Sequence, residues 1–284
     1  MELILEPLGF NFVIRALVAA FIVGVVCSVL GTYVVLRGMA FFGDALAHTI
    51  LPGVVVSFLL GWPLALGALI MGIVTALGIG ALSDRGALRE DTAIGVVFAG
   101  LFALGVAMLS ATGNYTVDLT HFLFGNLLGV TTTDVLVAAV LGLTVLILIF
   151  LFFKELMVVS FDPTLATTLR LPTRFLHYLL LVLLAVTIVV ALQVVGIALT
   201  LAMLVTPAAT ASLLTQRLPT MMVVSGIIGA VSGVFGVFAA YHLDLASGPV
   251  VVLIATALFL AVFLYSSGRG VLGGAAATTD TVNG

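Results

Sequence analysis

Charge is what this chain has least of. Only 7% of its 284 residues are Asp, Glu, Lys or Arg, and Lys154 is its sole lysine. Soluble domains carry about 25% charged residues, so an aqueous surface cannot be covered from this supply. There is one cysteine, Cys27, which excludes an internal disulfide and, inside an apolar run, reads as packing. The net charge of −3 carries little information, and no basic patch points to nucleic acid. Glu2 and Glu6 stand where a cleavable leader would carry basic side chains, so no leader is expected. Neither Gly-x-x-x-x-Gly-Lys nor His-Glu-x-x-His occurs, which removes the phosphate-binding loop of a nucleotidase and the helix of a zinc peptidase. The chain is not expected to be an enzyme.

What fills the sequence instead is apolar: 63% hydrophobic residues, a mean hydropathy of +1.42 and 30 glycines. Crossing the hydrocarbon core takes about 20 apolar residues in a helix. Runs of that kind lie near 12–36, 41–60, 63–82, 92–111, 135–153, 175–195, 197–215, 220–240 and 249–267. The expectation is an all-α polytopic membrane bundle of about 8–9 spans, a single domain over 1–267 followed by a disordered glycine-rich tail, 268–284. Small residues at this density suit close helix approach in lipid. The segment 112–134, broken by Asn114, Tyr115, Asp118, His121 and Asn126, reads as an outer loop with a short re-entrant or surface helix. With alternating spans, every basic residue except Arg15 falls on one side, which the positive-inside rule makes cytoplasmic. The N-terminus is then expected outside and the C-terminus inside.

Four features carry chemistry. Asp44 and His48 sit four apart in the second span, and residues i and i+4 share a helix face with Cβ atoms about 5–6 Å apart. Two readings stand for the pair: a shared cation site, for which intramembrane ionisable residues are the usual mark, or a helix cap at Asp44 and a packed imidazole at His48. Tyr241, His242 and Asp244 end the eighth span, either as an outer gate that receives the ion or as an interfacial aromatic and polar turn. On the cytoplasmic side, Asp162 is a good N-cap, Pro163 suits the first helical position and Pro172 ends a helix of about two turns with Leu165 and Leu169 on one face. That helix either docks a partner or rests on the lipid interface. Pro52-Gly53 and Pro207 either interrupt their spans, a recurring device of transporter sites, or are ordinary proline kinks relieved by Thr206 or a neighbouring helix. Smaller expectations are ion pairing among Arg85, Arg89, Glu90 and Asp91, an interfacial place for His177, and interhelical hydrogen bonds from Gln193 and Thr200.

Six blocks, in order, carry a family resemblance. They are Val35–His48 with Leu51-Pro-Gly53, Arg89–Gly95, Phe124-Gly-Asn126, Ser160-Phe-Asp-Pro163, Met203–Ala211 and Tyr241–Pro249. Over roughly 10–267 the chain resembles the permeases of bacterial ABC importers of zinc, manganese or iron. The resemblance implies a type II importer fold, of the same broad kind as the vitamin B12 importer's membrane subunit but with fewer helices. It implies a homodimer or a pair of similar permeases in the bacterial plasma membrane, a cytoplasmic ABC ATPase dimer, and an extracytoplasmic metal-binding lipoprotein or periplasmic protein. The segment 162–172 becomes the ATPase-docking helix, with Asp162, Pro163, Leu165, Ala166, Leu169 and Arg170 at the contact. Asp44 and His48 become transient ligands of a transported Zn²⁺ or Mn²⁺, the imidazole favouring zinc, and no resident cofactor is expected. The competing class is a gradient-driven secondary transporter or channel with no ATPase.

Overall fold

The computed structural model describes residues 9–84, 89–111 and 127–279, the side chains of 84, 128 and 267–279 excepted. Among the described residues the regular structure is helical throughout, and nine helical stretches are long and apolar enough to cross a bilayer. They are α1 (Asn11–Arg37), the pair α2 (Phe42–Thr49) and α3 (Leu51–Leu60) that together make one crossing, α4 (Leu64–Asp84), α5 (Glu90–Ala111), α6 (Thr132–Leu151), α9 (Thr173–Val195), α10 (Ile197–Leu214), α11 (Leu218–Leu243) and the apolar part of α12 (Ser247–Thr279). Two short helices, α7 (Phe153–Phe161) and α8 (Pro163–Thr168), fill the connection between α6 and α9. Every expected span lies within three residues of its observed counterpart. The backbone of α12 continues as helix to Thr279, past the glycine-rich point at 267 where composition ends the packed domain. Asn114, Tyr115, Asp118, His121, Asn126 and Arg85 lie outside the described residues.

The bundle is organised around α1, which packs along α10, α11 and α6. Its small residues Ala16, Ala20, Gly24 and Ser28 recur every four positions, opposite Ser225, Gly229 and Gly233 of α11. A Cβ added at Gly24 would stand 2.7 Å from the Gly229 carbonyl oxygen, so here the two backbones themselves are in contact. Without a hydrophobic driving force between helices in lipid, such approach is what yields dispersion energy. Large apolar side chains face outward instead: Leu136, Val140, Leu143, Ile147 and Phe150 form an exposed stripe on α6.

Pro207 does not interrupt its span. The ring lies inside an unbroken α10, because the carbonyl it deprives of a donor finds another. Proline removes the N–H that would reach residue i−4, here the Met203 carbonyl. Ser28 Oγ of α1 donates to that oxygen at 3.2 Å, and Ser225 Oγ of α11 donates in turn to the Ser28 carbonyl at 2.8 Å. Pro52 behaves differently. It sits in the first turn of α3, where its missing N–H costs nothing, and the crossing divides there into α2 and α3. Thr200 also departs from expectation: its hydroxyl donates to Gly196 O of its own helix, at 2.8 Å, and not to a neighbouring span.

Candidate functional site

The division at Ile50 makes α2 an eight-residue helix, and it carries both Asp44 and His48. The capping reading of Asp44 is not what is observed. Phe41 is the N-cap, no side chain caps the helix, and Asp44 lies inside its first turn. His48 Nδ1 stands 3.0 Å from the Asp44 backbone carbonyl and 3.8 Å from Asp44 Oδ1. A carbonyl only accepts, so Nδ1 carries the proton and donates. Neutral imidazole then leaves Nε2 with a free lone pair, the usual second-shell arrangement of a metal-binding histidine.

The ring is held from the other side by aromatic faces. His48 meets Phe98 and Phe102 of α5 edge-on, with centroids 5.9 and 5.5 Å away, while those two rings stack at 5.7 Å and 10°. Both phenylalanines lie midway along α5, which places His48 near the middle of the crossing. The imidazole lines a cavity of about 440 Å³ whose other walls include Leu51, Phe102, Ile197 and Leu201, so it is the polar group of an otherwise apolar chamber. The side chains of His48 and Asp44 remain 33% and 39% exposed, and α5 is the least buried of the spans. In a single chain the pair is therefore partly accessible, on a crossing that is itself largely buried. Among the described residues no third His, Cys, Asp or Glu joins them. One carboxylate and one imidazole without thiolate can hold a first-row divalent cation transiently, not cage it.

The other expected residues are distributed over both ends. His242 lies in the last turn of α11, and Asp244 adopts the left-handed conformation that ends it, at φ 52°. Tyr241 packs edge-on against His242 at 5.5 Å and at a tilt against Phe10 at 6.4 Å, so this cluster sits at the start of α1, far from Arg37. At the Arg37 end, Asp162 Oδ1 accepts from the N–H groups of Thr164 and Leu165, both at 2.9 Å, and Pro163 opens α8 as expected. The helix is shorter than its sequence suggests. Arg170 takes a left-handed φ of 56° and Leu171 N bonds back to Ala166 O at 3.1 Å, closing α8 at Thr168 before Pro172 is reached. Pro172 instead precedes α9 as its N-cap residue. Ala166 is buried, whereas Leu165 and Leu169 are 48% and 55% exposed.

Sequence reasoning missed Phe98 and Phe102. Their spacing of four, the same as that of Asp44 and His48, was the available signal, but phenylalanine in an apolar span has no distinguishing mark. It also missed the partners of Arg37 and His177, which bond to each other, and Glu90 turns towards His177.

Comparison with known proteins sets this geometry among metal transporters. The sequence profile described as the ABC 3 transport family matches residues 9–266. The manganese transport system membrane protein MntC of Halalkalibacterium halodurans is 44% identical over 267 residues, covering 94% of this chain and 91% of that one. The chelated iron transport system membrane protein YfeD of Yersinia pestis is 40% identical over 265 residues, covering 93% and 89%. Among solved structures, PsaBC from Streptococcus pneumoniae in complex with Fab superposes with a TM-score of 0.80 at 40% identity, covering 92% of this chain and 94% of that one.

Proposed function

This chain belongs to the ABC 3 transport family, and from that premise we propose that it is the membrane permease of an ATP-driven importer of manganese or iron. Its function is translocation across a bacterial plasma membrane. Relatives named for manganese and for iron stand at 40–44% identity to it. That shifts the cargo away from the zinc that an imidazole alone favours, and a carboxylate–imidazole pair suits Mn²⁺ and Fe²⁺ equally well.

The observation that carries the reading is the place of His48, whose Nδ1 lies 3.0 Å from the Asp44 carbonyl while the ring lines the mid-depth cavity. Asp44 Oδ and His48 Nε2 supply two ligands. Water, or the same pair on a second permease protomer packed against the open α2–α5 face, supplies the rest. An incomplete shell is an advantage to a carrier, which must bind firmly enough to admit the ion and loosely enough to release it. Tyr241, His242 and Asp244 then form the outer entry, where an extracytoplasmic metal-binding protein delivers the ion. The Arg37 end faces the cytoplasm, with the N-terminus outside. ATP is hydrolysed by a separate pair of ABC ATPase subunits seated on α8, with Leu165 and Leu169 as the apolar contact and Asp162, Pro163, Ala166 and Arg170 fixing the helix that presents them.

The deciding experiment reconstitutes permease and ATPase in vesicles with loaded binding protein outside. The expected result is Mn²⁺ accumulation that requires ATP. Uptake that persists without nucleotide and follows an imposed ion gradient would favour a secondary carrier and overturn the proposal. A second measurement bears on the docking face. Leu165→Asp puts a charge on a half-exposed leucine without touching the α8 core, so it should reduce co-purification of the ATPase by about tenfold, on the scale of a lost interface anchor. Undiminished co-purification would move the docking site off α8.

A further inference from the structure

A second set of polar side chains gathers at the Arg37 end, where the transport site makes no use of it. Arg37 Nε donates to Ser160 Oγ at 3.2 Å, and its Nη1 donates to His177 Nδ1 at 3.1 Å. A guanidinium only donates, so His177 Nδ1 is the acceptor and its proton sits on Nε2. That nitrogen lies 3.4 Å from Ser83 Oγ, and the Ser83 hydroxyl donates to Gly80 O at 3.1 Å. Glu90 Oε1 lies 3.6 Å from His177 Nδ1. Four helices are thereby joined, α1 through Arg37, α4 through Ser83, α7 through Ser160 and α9 through His177, and Glu90 of α5 stands beside them without a bond to the ring. The same groups line a cavity of about 550 Å³ that Pro163, the first residue of α8, also borders.

Position gives this set its meaning. Ser160 stands two residues before Asp162, the cap of α8, and Arg37 stands seven residues before Asp44. Between Arg37 and α2 the chain turns through Gly38 at φ 70°, with Gly38 N bonded to Val35 O at 3.2 Å and Met39 N to Val34 O at 2.9 Å. Such a hydrogen-bonded turn has little slack. The guanidinium therefore stands between the element that would contact the ATPase and the element that bears the metal ligands.

We propose that Arg37 is a positioning residue, a latch that makes the disposition of α2 depend on that of the α7–α8 segment and so ties metal movement to ATP hydrolysis. The inference rests on the permease reading above. Arginine suits the task because its planar fork addresses Ser160 and His177 at once, from two different nitrogens; lysine has its donors on one nitrogen and cannot hold two separated partners in a fixed fork. Coupling of this sort travels through packed elements and hydrogen bonds that have two discrete arrangements, and an arginine exchanging partners supplies such a pair of states.

The test uses the whole transporter, permease with ATPase, in vesicles with Mn²⁺-loaded binding protein. It reads ATP hydrolysis and Mn²⁺ accumulation in the same preparation. For Arg37→Lys the expected result is ATPase turnover within about twofold of wild type and Mn²⁺ carried per ATP reduced by about tenfold or more, the scale of a lost coupling of this kind. Ser160→Ala removes one of the two partners and no charge, and should give a partial loss of the same ratio even where an Arg37 variant fails to assemble. An unchanged ratio in both variants would overturn the latch. So would hydrolysis and uptake falling in proportion, which would mark a merely structural role. Absence of Mn²⁺ uptake by the wild-type complex would strike the permease reading itself, and is distinguishable because no variant is needed to see it.

Discussion

Asp44→Asn should lower ATP-dependent Mn²⁺ accumulation by the reconstituted transporter by at least tenfold, roughly the loss that removing even an outer-shell metal partner brings. The substitution isolates charge. Asparagine keeps the volume of aspartate, and the bond that orients His48 runs to the backbone carbonyl of residue 44, which the change leaves in place. The imidazole should keep its tautomer and its place against Phe98 and Phe102. What disappears is the anionic oxygen that offsets the cost of bringing a divalent cation to mid-membrane. The variant should purify with its ATPase in wild-type amount. His48→Ala should lose uptake comparably, and His242→Ala less, because entry at the outer end precedes the committed site. Wild-type accumulation by Asp44→Asn would remove Asp44 from the pathway; a larger loss at His242 than at His48 would move the principal site outward.

The legible and illegible parts of this protein divide along a physical line. Spans were legible because their signal is local: twenty apolar residues announce a crossing wherever they pack. The Asp44–His48 pair was legible for the same reason, since an acid and an imidazole one turn apart contrast with an apolar surround. The fate of Pro207 was not. Its missing N–H is written in the sequence, but the donor that repairs the ladder is Ser28, 175 residues earlier than the carbonyl it serves. Thr200 illustrates the converse, a hydroxyl that finds its acceptor one turn back and needs no neighbour. The early close of α8 turns on Arg170 in a left-handed conformation, for which a non-glycine residue gives no advance notice. Counting basic residues by side located Arg37 at one end of the bundle, yet only tertiary structure brings Ser160 and His177 to it.

Gly31→Ala should be the most damaging single methyl group in the bundle, and Gly100→Ala among the least. The two substitutions are chemically identical and both fall inside helices. At Gly100 a Cβ meets nothing within 4 Å, so the change should be neutral or stabilise by up to about 1 kcal/mol through helix propensity. At Gly31 the Cβ would overlap the Leu204 carbonyl oxygen of α10, backbone that no rotamer change can move aside. Helix α10 has to shift away from α1, and the shift should also draw Met203 O from Ser28 Oγ, one turn along α1, leaving the carbonyl that Pro207 orphans without a donor. Overpacking of a tight core costs about 1–3 kcal/mol, and an unpaired buried carbonyl adds about 1–3 more. The chain carries its own reporter for this. Cys27, its only cysteine, is fully buried on the same helix, so a thiol-reactive dye should label the detergent-solubilised protein only as it unfolds. Labelling of Gly31→Ala should begin at a lower temperature than wild type by several degrees or more, at roughly 2–4 °C per kcal/mol, while Gly100→Ala should follow wild type. Coincident labelling curves for all three proteins would mean that α1 and α10 are not in backbone contact at Gly31, and that the Ser28–Met203 bond is not what carries α10 past its proline.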